Sequence, residues 1–320
     1  MESRRWTGYR SVIDRRDTVS MQLLLSAACV AAASALSATT QTPSTRVKLP
    51  QLKAEAFRHP LDKDATAAVQ RSPLRFFETA VRTGLAPPLE QMTRLDNLAT
   101  GVKVTDRQYP ELYASFQEAI ACLGGLDPEP ELFVKSDPRP NAYTLALRGG
   151  APFVVVTSAL LDGFSAAETQ AVLGHELGHL VCEHSLWFSL GSIGSTLLPP
   201  LPGVGAAAER LQQEWRRAAE FSCDRAALLV TQDAAVVSEA LIKLASGSTR
   251  DVDVDAYLQQ AREYDEALEK SSRFVRTMQG RMLADATHPL PIRRVAELDR
   301  FARSAQYSQI LAKGERLDVE

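Results

Sequence analysis

The pentapeptide His175-Glu176-Leu177-Gly178-His179 constrains this chain more than any other feature. It lies inside a mostly apolar stretch, AAETQAVLGHELGHLVCEH, that Ser165 and Glu168 open as a capping box, which predicts a helix from about 166 to 184. On such a helix His175 and His179 stand about 6 Å apart along the axis and about 40° apart around it, so both imidazoles face one point. Two imidazoles and a carboxylate on such a helix are costly to bury unless something satisfies them. Gly174 and Gly178 weaken the helix by up to about 1 kcal/mol each relative to Ala, and their expected use is the close approach of a neighbouring element.

A metal ion satisfies the pair. His175 and His179 are spaced as two ligands of one zinc ion, and Glu176 lies beside that face, where a carboxylate can take a proton from an attacking water. This HExxH spacing is that of a zinc peptidase. A third protein ligand is needed. His184 is a poor choice: nine residues beyond His175 it is turned about 180° away on a continuous helix, and it reads as a surface histidine at the helix end. A second long helix, from about 206 to 230, offers Glu220 and Asp224, four apart on one face. Glu220 is the expected third ligand, and Asp224 can orient a ligand imidazole through its other nitrogen. Cys182 and Cys223 follow His179 and Glu220 by three residues, so either thiol can approach the site from its own helix. Both have apolar neighbours, which favours simple packing; a Cys182–Cys223 bridge is the alternative if the chain is exported.

The rest of the chain organises around these helices. Residues 1–20 carry Arg4, Arg5, Arg10, Arg15 and Arg16, and Met21–Ala38 is an uncharged run of eighteen residues, the pattern of a targeting or signal-like segment, with a retained anchor as the alternative. Residues 39–64 read as a linker and 65–320 as the catalytic domain. Within it, 65–125 forms an N-terminal helical layer, with Pro73 and Pro110 at helix starts and Gly124–Gly125 at a stop. Residues 131–157 form a small sheet, in which the aromatic and β-branched run Phe153–Val156 suits a buried strand and Gly149–Gly150 joins two strands. Residues 165–300 supply the metal-binding and C-terminal helices. The stretch 185–208 has no charge, but Pro199, Pro200 and Pro202 interrupt it. It is therefore expected as a loop, either a flap resting on lipid or a buried or mobile loop, rather than a straight membrane span.

Composition removes whole classes of function. With 36 Lys+Arg against 39 Asp+Glu, a net charge of −3 and 45% hydrophobic residues, the chain is a globular protein with no general field for nucleic-acid phosphate. Four cysteines in 320 residues imply no disulfide framework.

VLGHELGHL at 172–180, AAEFSCDRAAL at 218–228 and THPLPIRRV at 287–295, in this order, resemble the M48 family of zinc metallopeptidases, the group of the prenyl protease Ste24 and the heat-shock protease HtpX. The resemblance covers roughly 105–300. It implies an α+β fold, mainly helical and zincin-like, with a small antiparallel sheet before the HExxH helix. It implies one zinc ion per subunit held by His175, His179 and Glu220, with Glu176 as general base. Asp224 matches the acidic residue that supports a metal-binding histidine. His288 matches a histidine that stabilises the oxyanion, and Arg294 an arginine that braces the site. The expected activity is endoproteolysis of protein or peptide substrates in membrane-associated turnover, and the expected partners exclude nucleic acid. A peripheral lipid contact through 185–208 and a plastid location, at thylakoid or plastoglobule, are expected, with export or a bacterial envelope as the alternative. Cys223 departs from the family, which commonly has Ala there. The alternative reading is an inactive M48-like adaptor or chaperone with a structural zinc.

Overall fold

Why the site forms where it does follows from how two helices meet a small sheet. The computed structural model describes residues 46–145, 152–197, 204–282 and 288–317. The apolar run at 21–38, the turn at Gly149–Gly150 and Pro199–Pro202 lie outside the described residues. The chain enters through β1 (Val47–Lys48), α1 (Ala54–Phe57) and α2 (Pro60–Arg71), then passes short 3₁₀, α and π turns over 73–85 to α3 (Ala86–Thr100), β2 (Val102–Lys103) and α4 (Pro110–Cys122). Three strands follow, β3 (Glu131–Lys135), β4 (Ala142–Leu145) and β5 (Phe153–Thr157), and then α5 (Ser158–Gly163) and α6 (Ala166–Val181). Next come α7 (His184–Leu197), α8 (Val204–Thr231), α9 (Ala234–Ser246), α10 (Val254–Lys270) and α11 (Arg273–Met282). The described chain closes with α12 (Pro291–Ala302), α13 (Ala305–Leu311) and β6 (Glu315–Arg316), which pairs antiparallel with β1.

Residues 46–64 are no linker. Phe57 and Asp62 are fully buried, β1 is half of a two-stranded sheet, and α2 starts with Pro60 at its first turn. Polar, proline-bearing sequence suggested a tether, but its prolines sit at turns and helix starts, where proline is favourable.

The larger sheet has the order β2-β3-β5-β4. β4 and β5 pair antiparallel, with Ala142 opposite Val156, as expected. The sheet is mixed, however: β3 and β5 run parallel, with Glu131 opposite Phe153. β4 takes the outer edge, so β5 returns between it and β3. Every residue of β5 is buried, because Val154 and Val156 face the main core while Phe153 and Val155 fill a second cluster with Phe133. This leaves β4 as the edge strand beside α6.

The capping box at α6 forms as its sequence requires: Glu168 N–H donates to Ser165 Oγ at 3.2 Å and Ser165 N–H to Glu168 Oε2 at 2.8 Å. α6 then packs on α8 at a separation that its glycines permit. A methyl group at Gly178 would lie 2.8 Å from Ala226 Cβ and 3.1 Å from Cys223 Cα. One at Gly174 would lie 3.0 Å from Ala227 Cα. This contact brings the histidines of α6 against the acids of α8.

The stretch expected as a loop at 185–208 is helical in α7 and in the first turn of α8. Leu186, Trp187 and Leu190 are buried with Val81 and Trp215, so the first half of α7 is packed on protein. Of the apolar positions in that stretch, Leu186, Trp187 and Leu190 form the buried face of a helix. Among the described residues no helix is long and apolar enough to cross a membrane.

Candidate metal centre

His175 and His179 sit one turn apart on α6, with ring centroids 5.1 Å apart, and both turn Nε2 toward α8. There Glu220 presents its carboxylate: Oε2 is 3.5 Å from His175 Nε2 and Oε1 is 3.6 Å from His179 Nε2. Metal–nitrogen and metal–oxygen bonds of about 2.0–2.1 Å set neighbouring tetrahedral ligands about 3.3–3.4 Å apart, so this spacing suits a single ion. Glu220 is 6% exposed, and its Oε2 makes no hydrogen bond of acceptable geometry, although His288 Nδ1 lies 2.8 Å away and Arg294 Nη1 3.4 Å away. A buried carboxylate oxygen without a hydrogen bond, set against two imidazole nitrogens, is a group that a cation would satisfy. The donor set fits a metal ion.

The surrounding groups fix charge and orientation. Asp224, one turn after Glu220, lies 3.0 Å from His175 Nδ1. A carboxylate only accepts, so Nδ1 carries the proton and Nε2 is left free. Arg294, from α12, grips Asp224 with two bonds, Nε to Oδ2 at 2.9 Å and Nη2 to Oδ1 at 2.6 Å. Burial opposes ionisation of Asp224, but Arg294 outweighs it and holds the carboxyl below its usual range. Burial likewise opposes charge on His175, yet without a cation in the site Asp224 and Glu220 raise it to about 9, so a metal ion must displace the second proton from Nε2 to bind there. For Glu220, His175, His288 and Arg294 overcome burial and hold it well below the ordinary value. His179 has no directly bonded carboxylate on its Nδ1, and burial lowers it to about 3.

Glu176 is 8% exposed, and burial raises it to about 7. It lines a cleft of about 110 Å³ with His175, Glu220, His288, Asn141 and Ala142. An adjoining space of about 410 Å³ runs between β4, at Tyr143 and Thr144, and His179, Phe188 and Arg216. His288 stands at the mouth with a side chain 64% exposed. The structure thus brings together all seven residues singled out from the sequence: His175, Glu176, His179, Glu220, Asp224, His288 and Arg294.

The cysteines are settled by packing. Cys182 and Cys223 are free, buried thiols, so no bridge joins them. Cys223 Sγ lies within 4.8 Å of the ring nitrogens of His175 and His179, but burial holds its thiol well above the usual value. Glu220, by contrast, is held in its ionised form. Cys182 clusters instead with Asp62 and His184, and burial pushes it up to about 12.

His184 corrects the expectation most sharply. It is 1% exposed, not a surface residue, and its Nδ1 lies 3.0 Å from His179 Nδ1. The helical extrapolation fails because α6 stops at Val181 and Glu183 adopts a left-handed φ of 53°, which folds His184 back beneath the site. Its Nε2 lies 3.1 Å from Asp62 Oδ2. Asp62 was hidden in the supposed linker; Pro60 at a helix start was the available signal that this segment is structured.

Residues 106–302 match the sequence profile of Peptidase family M48. The chain belongs to peptidase family M48. It is a metalloendopeptidase, and the cluster described above is its candidate metal centre. It is 40% identical over 273 residues to the plastoglobule-localized metallopeptidase 48, chloroplastic, of Arabidopsis thaliana, covering 83% of this chain and 77% of that protein. A protease HtpX homolog of Moorella thermoacetica is 34% identical over 95 residues, 30% of this chain and 31% of the relative. Protease HtpX homolog 2 of Methanosarcina mazei is 27% identical over 173 residues, 44% of this chain and 57% of the relative. The chain therefore spans less than two thirds of these two relatives.

Proposed function

We propose that this M48 peptidase is a zinc enzyme that cuts extended peptide segments of membrane-associated proteins, with His175, His179 and Glu220 as metal ligands. The observation that carries the reading is the triangle of two Nε2 atoms and one carboxylate at 3.5–3.6 Å beside the buried Glu176. When bound, zinc supplies Lewis acidity, polarising the scissile carbonyl and acidifying a water. Glu176 accepts a proton from the attacking water as its oxygen bonds to the carbonyl carbon, and delivers that proton to the leaving amine as the carbon–nitrogen bond breaks. A carboxyl at about 7 is matched to both transfers near neutral pH. His288, at the mouth of the cleft, donates to the developing oxyanion. Asp224 and Arg294 hold His175 in the tautomer that faces the ion.

β4 supports a strand-like substrate. It is the edge of its sheet, pairs only with β5 among the described residues, and lines the cleft through Ala142, Tyr143 and Thr144. A peptide added to that edge is held by backbone pairing, which reads little of its sequence. The name of the Arabidopsis relative supports a plastid location at the plastoglobule, and the HtpX homologs, named as proteases, support protein substrates. The test is turnover of casein or a quenched peptide by wild type and Glu176→Gln. Wild type is expected to lose activity to chelator and regain it with zinc. Glu176→Gln is expected to keep zinc and lose roughly 10²–10⁴-fold in rate. Undiminished turnover by Glu176→Gln would refute its role as base.

A further inference from the structure

Asp62 is completely buried and far in sequence from every other residue of the centre, yet four donors converge on it. Trp215 Nε1 donates to Oδ1 at 2.9 Å, Thr66 Oγ1 to Oδ1 at 3.3 Å, Ser222 Oγ to Oδ2 at 2.7 Å, and His184 Nε2 lies 3.1 Å from Oδ2. An ionised carboxylate only accepts, so the proton on this edge of His184 sits on Nε2. The other edge, Nδ1, faces His179 Nδ1 at 3.0 Å. Only one proton fits between two ring nitrogens at that distance. With Nε2 of His184 protonated and its ring neutral, Nδ1 of His184 accepts and Nδ1 of His179 donates. The lone pair of His179 is then on Nε2, the atom that faces Glu220 at 3.6 Å.

We propose that Asp62 is a positioning residue of the metal centre: through the buried ring of His184 it fixes the proton of His179 on Nδ1 and so presents Nε2 to the ion. The inference rests on the ligand set proposed above. It gives each ligand histidine its own carboxylate, Asp224 directly for His175 and Asp62 through one imidazole for His179. Asp62, Cys182 and His184 also lie close enough to resemble a second metal cluster. Both nitrogens of His184 and both oxygens of Asp62 are already engaged in hydrogen bonds, which favours the relay. His184 also stacks flat on Phe188, with centroids 5.4 Å apart and planes 9° from parallel, so its ring is held between its two partners.

Asp62→Asn tests this with little change of shape. Trp215 can only donate, so the new amide places its oxygen toward Trp215 and its NH₂ toward His184 and Ser222. The relay then inverts: His184 accepts at Nε2 and donates from Nδ1, and the proton of His179 moves to Nε2, against the ion. A carboxylate-to-amide change beside a catalytic imidazole is known to act in this way, by enforcing the wrong tautomer.

The experiment uses the full chain, ¹⁵N-histidine NMR and zinc titration against a competing chelator, with thermal melts of each metal-free variant. Wild type is expected to carry its proton on Nδ1 of His179 and on Nε2 of His184. Asp62→Asn is expected to reverse both and to weaken zinc binding about 10–100-fold. Ser222→Ala, which removes one donor to Asp62 without inverting the relay, is expected to keep the wild-type tautomers and affinity. A wild-type His184 protonated on both nitrogens, or on Nδ1 alone, would overturn the proposal even if Asp62→Asn does not fold. So would equal losses in Asp62→Asn and Ser222→Ala, or unchanged zinc affinity in Asp62→Asn. His179→Ala separates the two levels: if zinc is lost there but Asp62→Asn binds normally, the relay fails and the ligand set stands. If zinc survives His179→Ala, the ligand set itself fails.

Discussion

Gly178→Ala puts a number on the helix contact that builds the metal centre. The added methyl would stand 2.8 Å from Ala226 Cβ and 3.1 Å from Cys223 Cα, against about 3.5–4.0 Å for carbons in ordinary contact. Neither neighbour is a flexible tip, so α6 and α8 must separate by several tenths of an ångström. Overpacking of this kind costs about 1–3 kcal/mol. Better helix propensity returns up to about 1 kcal/mol. With the full return the net expectation is a loss of up to about 2 kcal/mol, a fall in melting temperature of up to about 8 °C. The same movement lengthens the 3.5 and 3.6 Å contacts between the histidines and Glu220, and zinc affinity is expected to fall on the order of tenfold. Melts of the metal-free protein and zinc titration against a chelator read the two effects separately. Gly280→Ala is the control: on α11 its methyl would meet nothing within 4 Å, and it is expected to stabilise by about 0.5–1 kcal/mol. A Gly178→Ala protein as stable as wild type and equally retentive of zinc would refute the claim that close helix approach sets the site.

Glu168→Gln is expected to lower stability at neutral pH by about 1–3 kcal/mol, because the carboxylate is buried, caps α6 and pairs with Lys243 Nζ at 2.8 Å. Burial opposes its charge, but Lys243 and the Ser165 N–H hold it below the usual value. That stability is therefore present above the unfolded carboxylate value of about 4.3 and lost as pH falls through the lower folded value. Urea melts should show the gap between wild type and variant closing in acid; a gap that widens there would contradict the pairing. Turnover by wild type is expected to fall about tenfold per pH unit on the acid side of a midpoint at about 7 or lower, since burial raises Glu176 and its protonated form cannot accept the water's proton. The pH dependence of kcat/KM checks this, and a rate that climbs steadily on acidification would exclude Glu176 as base.

The parts of the site that were legible in sequence are those set by local periodicity. His175, Glu176 and His179 share a helix opened by its own capping box, and Glu220 and Asp224 share the next long one; four-residue spacing alone predicts which side chains meet an ion. What escaped was non-local or lay past a break in the helix. His184 was misplaced because a residue at positive φ ends the geometry that the extrapolation assumed. Asp62 was missed because it comes from a polar segment whose burial depends on Trp215 and Ser222, more than 150 residues away. The parallel β3–β5 pairing depends on which edge β4 takes, and strand periodicity carries no information about that. In the apolar stretch at 185–208, sequence left a lipid-resting flap and a buried loop both open; its start is instead a helix, on which Leu186, Trp187 and Leu190 face protein.

The central claim is that His175, His179 and Glu220 hold one zinc ion on which peptide hydrolysis depends. Zinc content of the purified full-length protein after chelator challenge, measured for wild type and for Glu220→Ala alongside peptide turnover, tests it most directly. The expected result is one zinc per chain and active hydrolysis in wild type, with zinc and activity lost together in Glu220→Ala. A Glu220→Ala protein that keeps its zinc and still cuts peptide would contradict it.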